Sequence, residues 1–161
     1  MPYKKQKFCN TPSIILIEPQ LGENIGMAAR AMLNCGVMDL RIVSPRDGWP
    51  NKDAIAAAAG ATTVITNAQI FKTTINAIAD LDIIFASTAR PRDMEKRITE
   101  PKEAAIEMIE HIRNGTRIGI IFGQESKGLK NNDVALADAV LYLPLNPEFN
   151  SLNLAQAVFA I

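Results

Sequence analysis

The 161-residue chain lacks several features on which common functional sites depend. It has one histidine, His111, and two cysteines, Cys9 and Cys35, without a CxxC spacing. This composition argues against a disulfide framework, a zinc ribbon and a cysteine–histidine metal cluster. No GxSxG segment occurs either, so the sequence contains no nucleophile elbow. We expect ordinary reduced thiols and no metal site.

The chain also lacks net charge and long apolar runs. Its 17 Lys and Arg residues balance its 17 Asp and Glu residues. The broad cationic field common in nucleic-acid-binding proteins is therefore missing, and an anionic partner would have to be held by a local patch. No apolar run approaches the length of about 18 residues that spans a bilayer, and the first residues contain no signal-peptide core. The sequence predicts a cytoplasmic protein without a membrane partner.

Apolar segments and helical patterns alternate along the chain, and 48% apolar content suffices for one sizeable core. Short apolar runs predict strands at 13–18, 40–43, 62–65, 82–87, 118–122 and 140–143. Helical spacing predicts helices at 24–35, 52–59, 68–79, 102–112 and 131–136, with another from 151 onward. This alternation is typical of a mostly parallel sheet with helices on both faces. We expect an α/β fold in a single domain, 1–161.

The first candidate motif runs from Gly22 to Arg30, between the first strand and the first helix. Asn24 is a suitable N-cap, and Gly26 would let another backbone approach closely. Arg30 lies away from the apolar stripe of the helix, although a solvated or salt-bridged arginine is an equally good interpretation. The two glycines are four residues apart, so the GxGxxG pattern of a dinucleotide site is not satisfied.

The second motif is a glycine-bounded loop, Gly123 to Gly128, that directly follows a predicted strand. Its glycines have the spacing of a Walker A loop, but Leu129 and Lys130 stand where that loop requires Lys followed by Ser or Thr. Glu125 would also place a carboxylate inside the phosphate cradle. The loop therefore favours a ligand without a polyphosphate, unless it is simply a tight strand-to-helix turn.

The third motif surrounds the start of the last predicted helix. Asn150 or Ser151 could cap this helix, and Asn153 would fall in its first turn. A cap accounts for only one of these polar residues. We expect the remaining side chains to converge on whatever lies at the helix N-terminus.

In this order and spacing, the three motifs resemble those of the SpoU/TrmH class of RNA 2′-O-ribose methyltransferases, over residues 14–161. The segments 87–90 and 146–153 are similar to the TrmJ branch, which methylates the ribose at position 32 of tRNA. The resemblance implies the SPOUT fold, in which the last strands and helix thread a deep trefoil knot. It also implies S-adenosylmethionine as methyl donor, tRNA as substrate, and a homodimer whose active sites take residues from both subunits.

The resemblance further implies the site residues. The donor pocket is expected to contain Ser87, Thr88, Ala89, Gly123, Leu143, Asn150, Ser151 and Leu152. Arg30 is expected to act on the ribose hydroxyl; because an arginine stays protonated, we expect it to orient the phosphate and hydroxyl and to stabilise the developing oxyanion. The remaining catalytic positions of the family correspond to Asn24, Glu125, Ser151 and Asn153, which we expect to shape the loops and hold the nucleophile.

The basic residues expected to contact RNA phosphates are Arg30, Arg90, Arg92 and Arg97. Lys96 lies in the same central loop as Arg90, Arg92 and Arg97, and Lys4, Lys5 and Lys7 form a further basic patch near the start of the chain. Relatives of the TrmJ type usually continue past the last helix, so we expect this chain to lack a C-terminal extension that assists tRNA binding. Two other functions stay open. The fold could serve a catalytically silent RNA-binding module, and a Rossmann-type nucleotide enzyme is a weaker alternative because the glycine patterns do not match.

Overall fold

A computed structural model describes residues 10–90 and 95–161. The strands are β1 (Ser13–Ile17), β2 (Leu40–Val43), β3 (Gln69–Phe71), β4 (Ile83–Thr88), β5 (Arg97–Thr99), β6 (Ile118–Phe122) and β7 (Ala139–Tyr142). The helices are α1 (Gly22–Asn34), α2 (Lys52–Ala58), α3 (Thr62–Thr66), α4 (Thr74–Ile78), α5 (Pro101–Arg113), α6 (Asn131–Ala135) and α7 (Leu154–Ala160). The seven strands form one sheet in the order β3-β2-β1-β6-β4-β7-β5, and every neighbouring pair is parallel. The predicted α/β class is confirmed.

Both faces of the sheet are covered by helices, as predicted. Successive side chains of a strand point to opposite faces, and those of β1 separate into two apolar clusters. Ile14 and Leu16 belong to the cluster formed with α1, α2, α3, α5 and α7. Ile15 and Ile17 belong to the other cluster, with α4 and α6. This two-sided burial explains why β1 and β6 are apolar without alternation.

Close packing of α1 against α2 depends on Gly26. A Cβ atom at this position would lie 2.3 Å from the carbonyl oxygen of Ala54 and 2.7 Å from the Cβ of Ala57. The expectation that Gly26 lets another backbone come close is therefore confirmed, and the approaching backbone belongs to α2.

Two predicted elements are wrong. The segment 62–65 is helical rather than extended, because Val64 and Ile65 bury their side chains in the cluster under α1 and α2; this packing overrides the β-propensity of Thr, Val and Ile. The predicted helix 68–79 is instead the edge strand β3 followed by the short helix α4. The N-cap of α4 is Thr73, whose side chain accepts a hydrogen bond from the amide of Asn76.

The edge strand β5 was not predicted. Its three residues lie within a polar segment, and only their pairing with Ala139–Leu141 of β7 makes them a strand. The two paired segments are distant in sequence, so no local sequence pattern predicts this strand. Among the helices of residues 10–90 and 95–161, none has the length and apolar content needed to cross a membrane.

Candidate functional site

The loops after β4, β6 and β7 meet at one edge of the sheet. These strands are distant in the chain but adjacent in the sheet, in the order β6-β4-β7. Because they are parallel, their carboxyl ends lie side by side: Thr88 pairs with Tyr142, and Ala86 pairs with Ile121. Ligands of open α/β sheets bind at this edge.

The structure brings all of the predicted donor-binding residues to a single cavity at this edge. The cavity is lined, among others, by Ser87, Thr88, Ala89, Gly123, Leu143, Asn150, Ser151 and Leu152. Glu125 and Arg90 line it as well, together with Gln124 and Lys127, which the motif analysis did not single out. The second and third motifs thus face the same space, with the end of β4 as a third wall.

The turn after β6 is compact because glycine stands at both of its ends. A Cβ atom on Gly123 would lie 2.1 Å from the carbonyl carbon of Gly128 and 2.2 Å from the nitrogen of Leu129. Gly128 has φ +68°, and its amide donates a 2.8 Å hydrogen bond to the carbonyl of Gln124. The turn therefore packs tightly against its own backbone at Gly123, and a side chain at 123 has no room.

A chain of side-chain hydrogen bonds links all three motifs. Asn24 donates from Nδ2 to Oε1 of Glu125 at 3.0 Å, and its Oδ1 accepts from Nδ2 of Asn153 at 3.0 Å. The Glu125 carboxylate also accepts from the backbone amides of Gln20 at 2.9 Å and Leu21 at 3.3 Å. Asn24 is 6% exposed. The expected role of these residues in shaping the loops therefore has a geometric basis.

The predicted helix caps are wrong. Helix α1 begins at Gly22 after Leu21, which provides no capping side chain, so Asn24 lies in the first turn. The Glu125 carboxylate accepts from the amides of Gln20 and Leu21, just before the helix. In α7 the N-cap is Asn153, which accepts from the amide of Ala155 and shares a capping box with Gln156. Asn150 and Ser151 precede the cap and line the cavity instead.

The carboxyl end of β1 adds Glu18, a residue that sequence patterns did not identify. Its carboxylate accepts from the Lys130 ammonium at 2.7 and 2.9 Å and from the Gln124 side chain. The hydrogen bond from Lys130 is the main cause that holds the pKa of Glu18 below its usual 4.5, although partial burial acts in the opposite direction. The same contact raises the pKa of Lys130 above 10.5. Both groups are therefore charged at neutral pH.

Arg30 is exposed on α1, while Ala28, Ala29 and Met32 on the same helix are buried. Its predicted position off the apolar stripe is confirmed. It does not line the cavity of its own chain, and within residues 10–90 and 95–161 it forms no ion pair. A single copy of the chain thus keeps this guanidinium apart from the cavity.

The other predicted RNA contacts have different environments. Arg90 lies at the cavity. Arg97, on the edge strand β5, forms two 2.8 Å hydrogen bonds with the carboxylate of Glu107. Lys96 donates to the carbonyls of Ala135 and Ala137 near the end of α6. Four predicted residues lie outside the described part of the chain: Arg92, Lys4, Lys5 and Lys7. Over the described residues, no group of three or more His, Cys, Asp or Glu side chains could hold a metal ion.

Comparisons with known proteins identify related sequences and structures. The model of the SpoU rRNA Methylase family matches residues 12–161. The tRNA (cytidine/uridine/adenosine-2′-O-)-methyltransferase TrmJ of Pseudomonas aeruginosa is 34% identical over 145 residues, which cover 90% of this chain and 56% of that protein. The tRNA (cytidine/uridine-2′-O-)-methyltransferase TrmJ of Salmonella typhimurium is 36% identical over 148 residues, 92% of this chain and 60% of that protein.

A solved structure, the crystal structure of TrmJ from Z. mobilis ZM4, is 51% identical and has a TM-score of 0.89. The similarity covers 94% of this chain and 66% of that one. The chain therefore spans less than two thirds of the length of each of these three relatives.

Proposed function

Because the chain belongs to the SpoU rRNA methylase family, we propose that it transfers a methyl group from S-adenosylmethionine to a ribose 2′-hydroxyl of tRNA. The observation that carries this proposal is the meeting of three distant segments, at 87–90, 123–128 and 150–152, in one cavity at the carboxyl edge of the sheet. The methyltransferase activity of the TrmJ relatives, whose names specify tRNA, supports the choice of substrate.

The cavity suits a donor that contains an adenine, a ribose and an amino acid but no phosphate. Its wall at Gly123 is bare backbone, and peptide groups of this kind can hydrogen-bond with the edge of an adenine. Leu143 and Leu152 line the same space and can cover the apolar faces of the base. Lys127, at the cavity, forms no ion pair with any described residue and can pair with the donor's carboxylate. When bound, the donor supplies a methyl group on a positively charged sulfur.

The chain itself must prepare the nucleophile. A ribose hydroxyl loses its proton as it attacks, so the site must orient it and stabilise the negative charge that develops on oxygen. We assign this role to Arg30. Its guanidinium remains protonated at neutral pH, which suits an orienting and charge-stabilising group better than a general base.

The proposal includes a homodimer. Arg30 is exposed on α1 and does not line the cavity of its own chain. The guanidinium of one subunit would therefore serve the cavity of its partner. Such sharing leaves each isolated subunit without one essential group and makes activity depend on association.

RNA binding is assigned to local basic groups because the chain has no net charge. Arg90 lies at the cavity itself, so it is well placed for a phosphate next to the reacting ribose. Phosphate contacts of this kind position RNA without reading its sequence. We propose the ribose at position 32 of tRNA as the target, the cytoplasm as the location, and a trefoil knot formed by the segments around the cavity.

Methyl transfer to tRNA tests the activity directly. The purified chain should transfer labelled methyl groups from S-adenosylmethionine to tRNA, and mass mapping of nucleosides should locate them at position 32. Arg30→Ala should abolish transfer while the Kd for S-adenosylhomocysteine stays within about threefold, because the proposed role of the residue is on the ribose hydroxyl and not on the donor. Arg113→Ala, at an exposed arginine on α5, is the matched control and should keep full activity. RNA binding without any binding of S-adenosylhomocysteine would contradict the proposal and indicate a silent binding module.

Subunit mixing tests the shared site. Arg30→Ala and Gly123→Ala should each be inactive, the second because it disrupts the cavity wall. In a mixed dimer, the intact cavity of the Arg30→Ala subunit would receive the arginine of the Gly123→Ala subunit, so activity should return to about a quarter of the wild-type value for random association. Failure of the mixture to recover any activity would contradict the role of Arg30 across the interface.

A further inference from the structure

Glu18 holds the turn after β6 at two points. Its carboxylate accepts from the side chain of Gln124, near the start of the turn, and from the ammonium of Lys130, just after its end. Glu18 itself immediately follows β1, the neighbour of β6 in the sheet. One side chain on a rigid strand end therefore anchors both sides of a turn that forms a wall of the cavity.

The backbone of Glu18 is unusual as well. Its φ is +48°, in the left-handed region that favours glycine. The amide of Glu18 donates a 2.8 Å hydrogen bond to the carbonyl of Val43 in β2. Left-handed residues other than glycine persist where the surrounding structure fixes them, and they are frequent at functional sites. Here this backbone conformation accompanies a side chain that reaches the turn 123–130.

A second carboxylate, on the turn itself, binds back to the segment that follows β1. Glu125 extends from the turn to the amides of Gln20 and Leu21 and to the side chain of Asn24. Glu18 extends from the end of β1 back to the turn. The two sets of contacts together join 18–24 to 124–130 at several points, so the turn is held to the segment that follows β1 from both of its sides.

An isolated ion pair on a protein surface contributes little to stability. The ion pair between Glu18 and Lys130 is not isolated, because the same carboxylate also accepts from Gln124, and Gln124 lines the cavity. Loss of the carboxylate would remove the acceptor of Gln124 and of Lys130, which flank the turn. The segment that carries Gly123 and Lys127 would then be less restrained. The expected effect falls on the shape of the cavity more than on the stability of the whole chain.

We propose that Glu18 is a positioning residue for the donor site: it fixes the 123–130 turn in the conformation that binds S-adenosylmethionine, without contacting the donor. This inference rests on the proposed function for the identity of the donor. Glu18, at the end of β1, thus affects donor affinity, whereas Arg30 acts on the ribose hydroxyl.

The test compares Glu18→Ala, Glu18→Gln and a control, Asp82→Asn. Asp82 also forms an exposed carboxylate–cation contact, with Arg117, at the other end of the sheet. Calorimetry with S-adenosylhomocysteine should show Kd raised about tenfold for Glu18→Ala, because hydrogen bonds to charged groups are lost. Glu18→Gln keeps an acceptor oxygen and should show a smaller rise. The control should bind like the wild type, and tRNA affinity should stay unchanged in all three variants.

Hydrogen exchange gives a readout that needs no donor. In Glu18→Ala, the amide of Gly128 should exchange about tenfold faster, because the hydrogen bond it makes within the turn opens more often. Amides of Ile120 and Ile121 in β6 should keep their protection. A general loss of stability would instead accelerate exchange in the turn and in the strand together. The double variant Glu18→Lys with Lys130→Glu restores an ion pair and should recover part of the protection and affinity.

Several outcomes would overturn the proposal. Wild-type donor affinity in Glu18→Ala would overturn it, as would a loss of affinity matched by faster exchange throughout β6. If Glu18→Ala does not fold, Glu18→Gln carries the test with the same two measurements. Absence of S-adenosylhomocysteine binding by the wild-type chain would overturn the proposed function and this inference with it, whereas normal wild-type binding with an unaffected Glu18→Ala variant would overturn this inference only.

Discussion

The side-chain amide of Asn24 donates a 3.0 Å hydrogen bond to the carboxylate of Glu125, which lies 101 residues further along the chain. The same amide group accepts from Asn153, a further 28 residues on. Asn24 is almost fully buried, so water cannot easily replace either partner. One asparagine in the first turn of α1 therefore sets the relative position of two loops that line the cavity.

Asn24→Ala should lower both stability and donor affinity. The substitution removes one hydrogen bond to Glu125 and one from Asn153, which together contribute about 1–3 kcal/mol to the free energy of unfolding. Urea unfolding measures this loss, and calorimetry with S-adenosylhomocysteine should show weaker binding. Asn76→Ala, at an exposed position of α4, is the control and should have a smaller effect on both. Unchanged donor affinity in a destabilised Asn24→Ala variant would show that the hydrogen bonds serve the fold but not the cavity.

Gly123→Ala should prevent donor binding. The added Cβ would lie about 2 Å from backbone atoms of Gly128 and Leu129, which no side-chain rotation can relieve, so the turn must move at a cost of about 1–3 kcal/mol. Gly115→Ala provides a contrast: Gly115 has positive φ, but a Cβ atom added there would have no heavy atom within 4 Å. That variant should lose some stability from backbone strain and bind donor normally. A Gly123→Ala variant with wild-type donor affinity would contradict the assigned wall.

Arg90 and Arg97 should contribute unequally to tRNA affinity. Arg97 is already paired with Glu107 through two hydrogen bonds, so a phosphate must compete with that carboxylate, whereas Arg90 lies at the cavity. Arg90→Ala should weaken tRNA binding several-fold and reduce the slope of log K against log salt by about 1. Arg97→Ala should change affinity by less than about twofold. Glu107→Gln should free Arg97 and strengthen binding slightly; equal losses for the two arginines would contradict this ranking.

The free energy of unfolding should fall at acidic pH because Asp80 becomes protonated and loses its ion pair with Arg41. The Arg41 guanidinium, buried at the amino end of the sheet, hydrogen-bonds with Asp80 and lowers the pKa of that carboxyl below 3.8. A carboxylate with a lowered folded-state pKa stabilises the fold fully above its unfolded pKa, and this contribution is lost as pH falls through the folded value. Asp80 is half exposed, so screening limits the contribution to about 1 kcal/mol.

Asp80→Asn should therefore be less stable than the wild type at pH 7, and the difference should shrink as the pH falls below about 4. Urea midpoints measured from pH 7 to pH 2.5 give this comparison. Asp47→Asn removes the partner of Arg46 in an ion pair whose two side chains are both exposed, so it should change the midpoint less than Asp80→Asn does at pH 7. A difference between Asp80→Asn and the wild type that stays constant across this range would rule out the ion pair as its cause.

Local patterns predicted much of this structure because their causes are local. The apolar runs at 13–18 and 118–122 are strands buried on both faces, and the three motifs follow or adjoin such strands. Parallel strands place their carboxyl ends at one edge of the sheet. The sequence therefore sufficed to predict that Ser87, Gly123 and Leu143, which follow or end such strands, lie near one another. The resemblance to the SpoU class is confirmed by the family match, while the roles of individual residues stay predictions.

The features that the sequence did not reveal depend on distant partners. Glu18 meets Lys130 across 112 positions, and β5 exists only because β7 lies beside it. The segment 62–65 has the composition of a strand, yet its burial beneath α1 and α2 makes it a helix. In each case a contact between remote segments outweighs local preference.

The position of Asn153 has a consequence for biosynthesis. Its hydrogen bond to Asn24 spans 129 residues, so a ribosome has to release nearly all of the described chain before this contact can close. Until then, a nascent polypeptide has the central β-sheet but only part of the enclosure beyond its strand ends. The segment 150–153 therefore completes the cavity only after the sheet and the other two motifs have been synthesised.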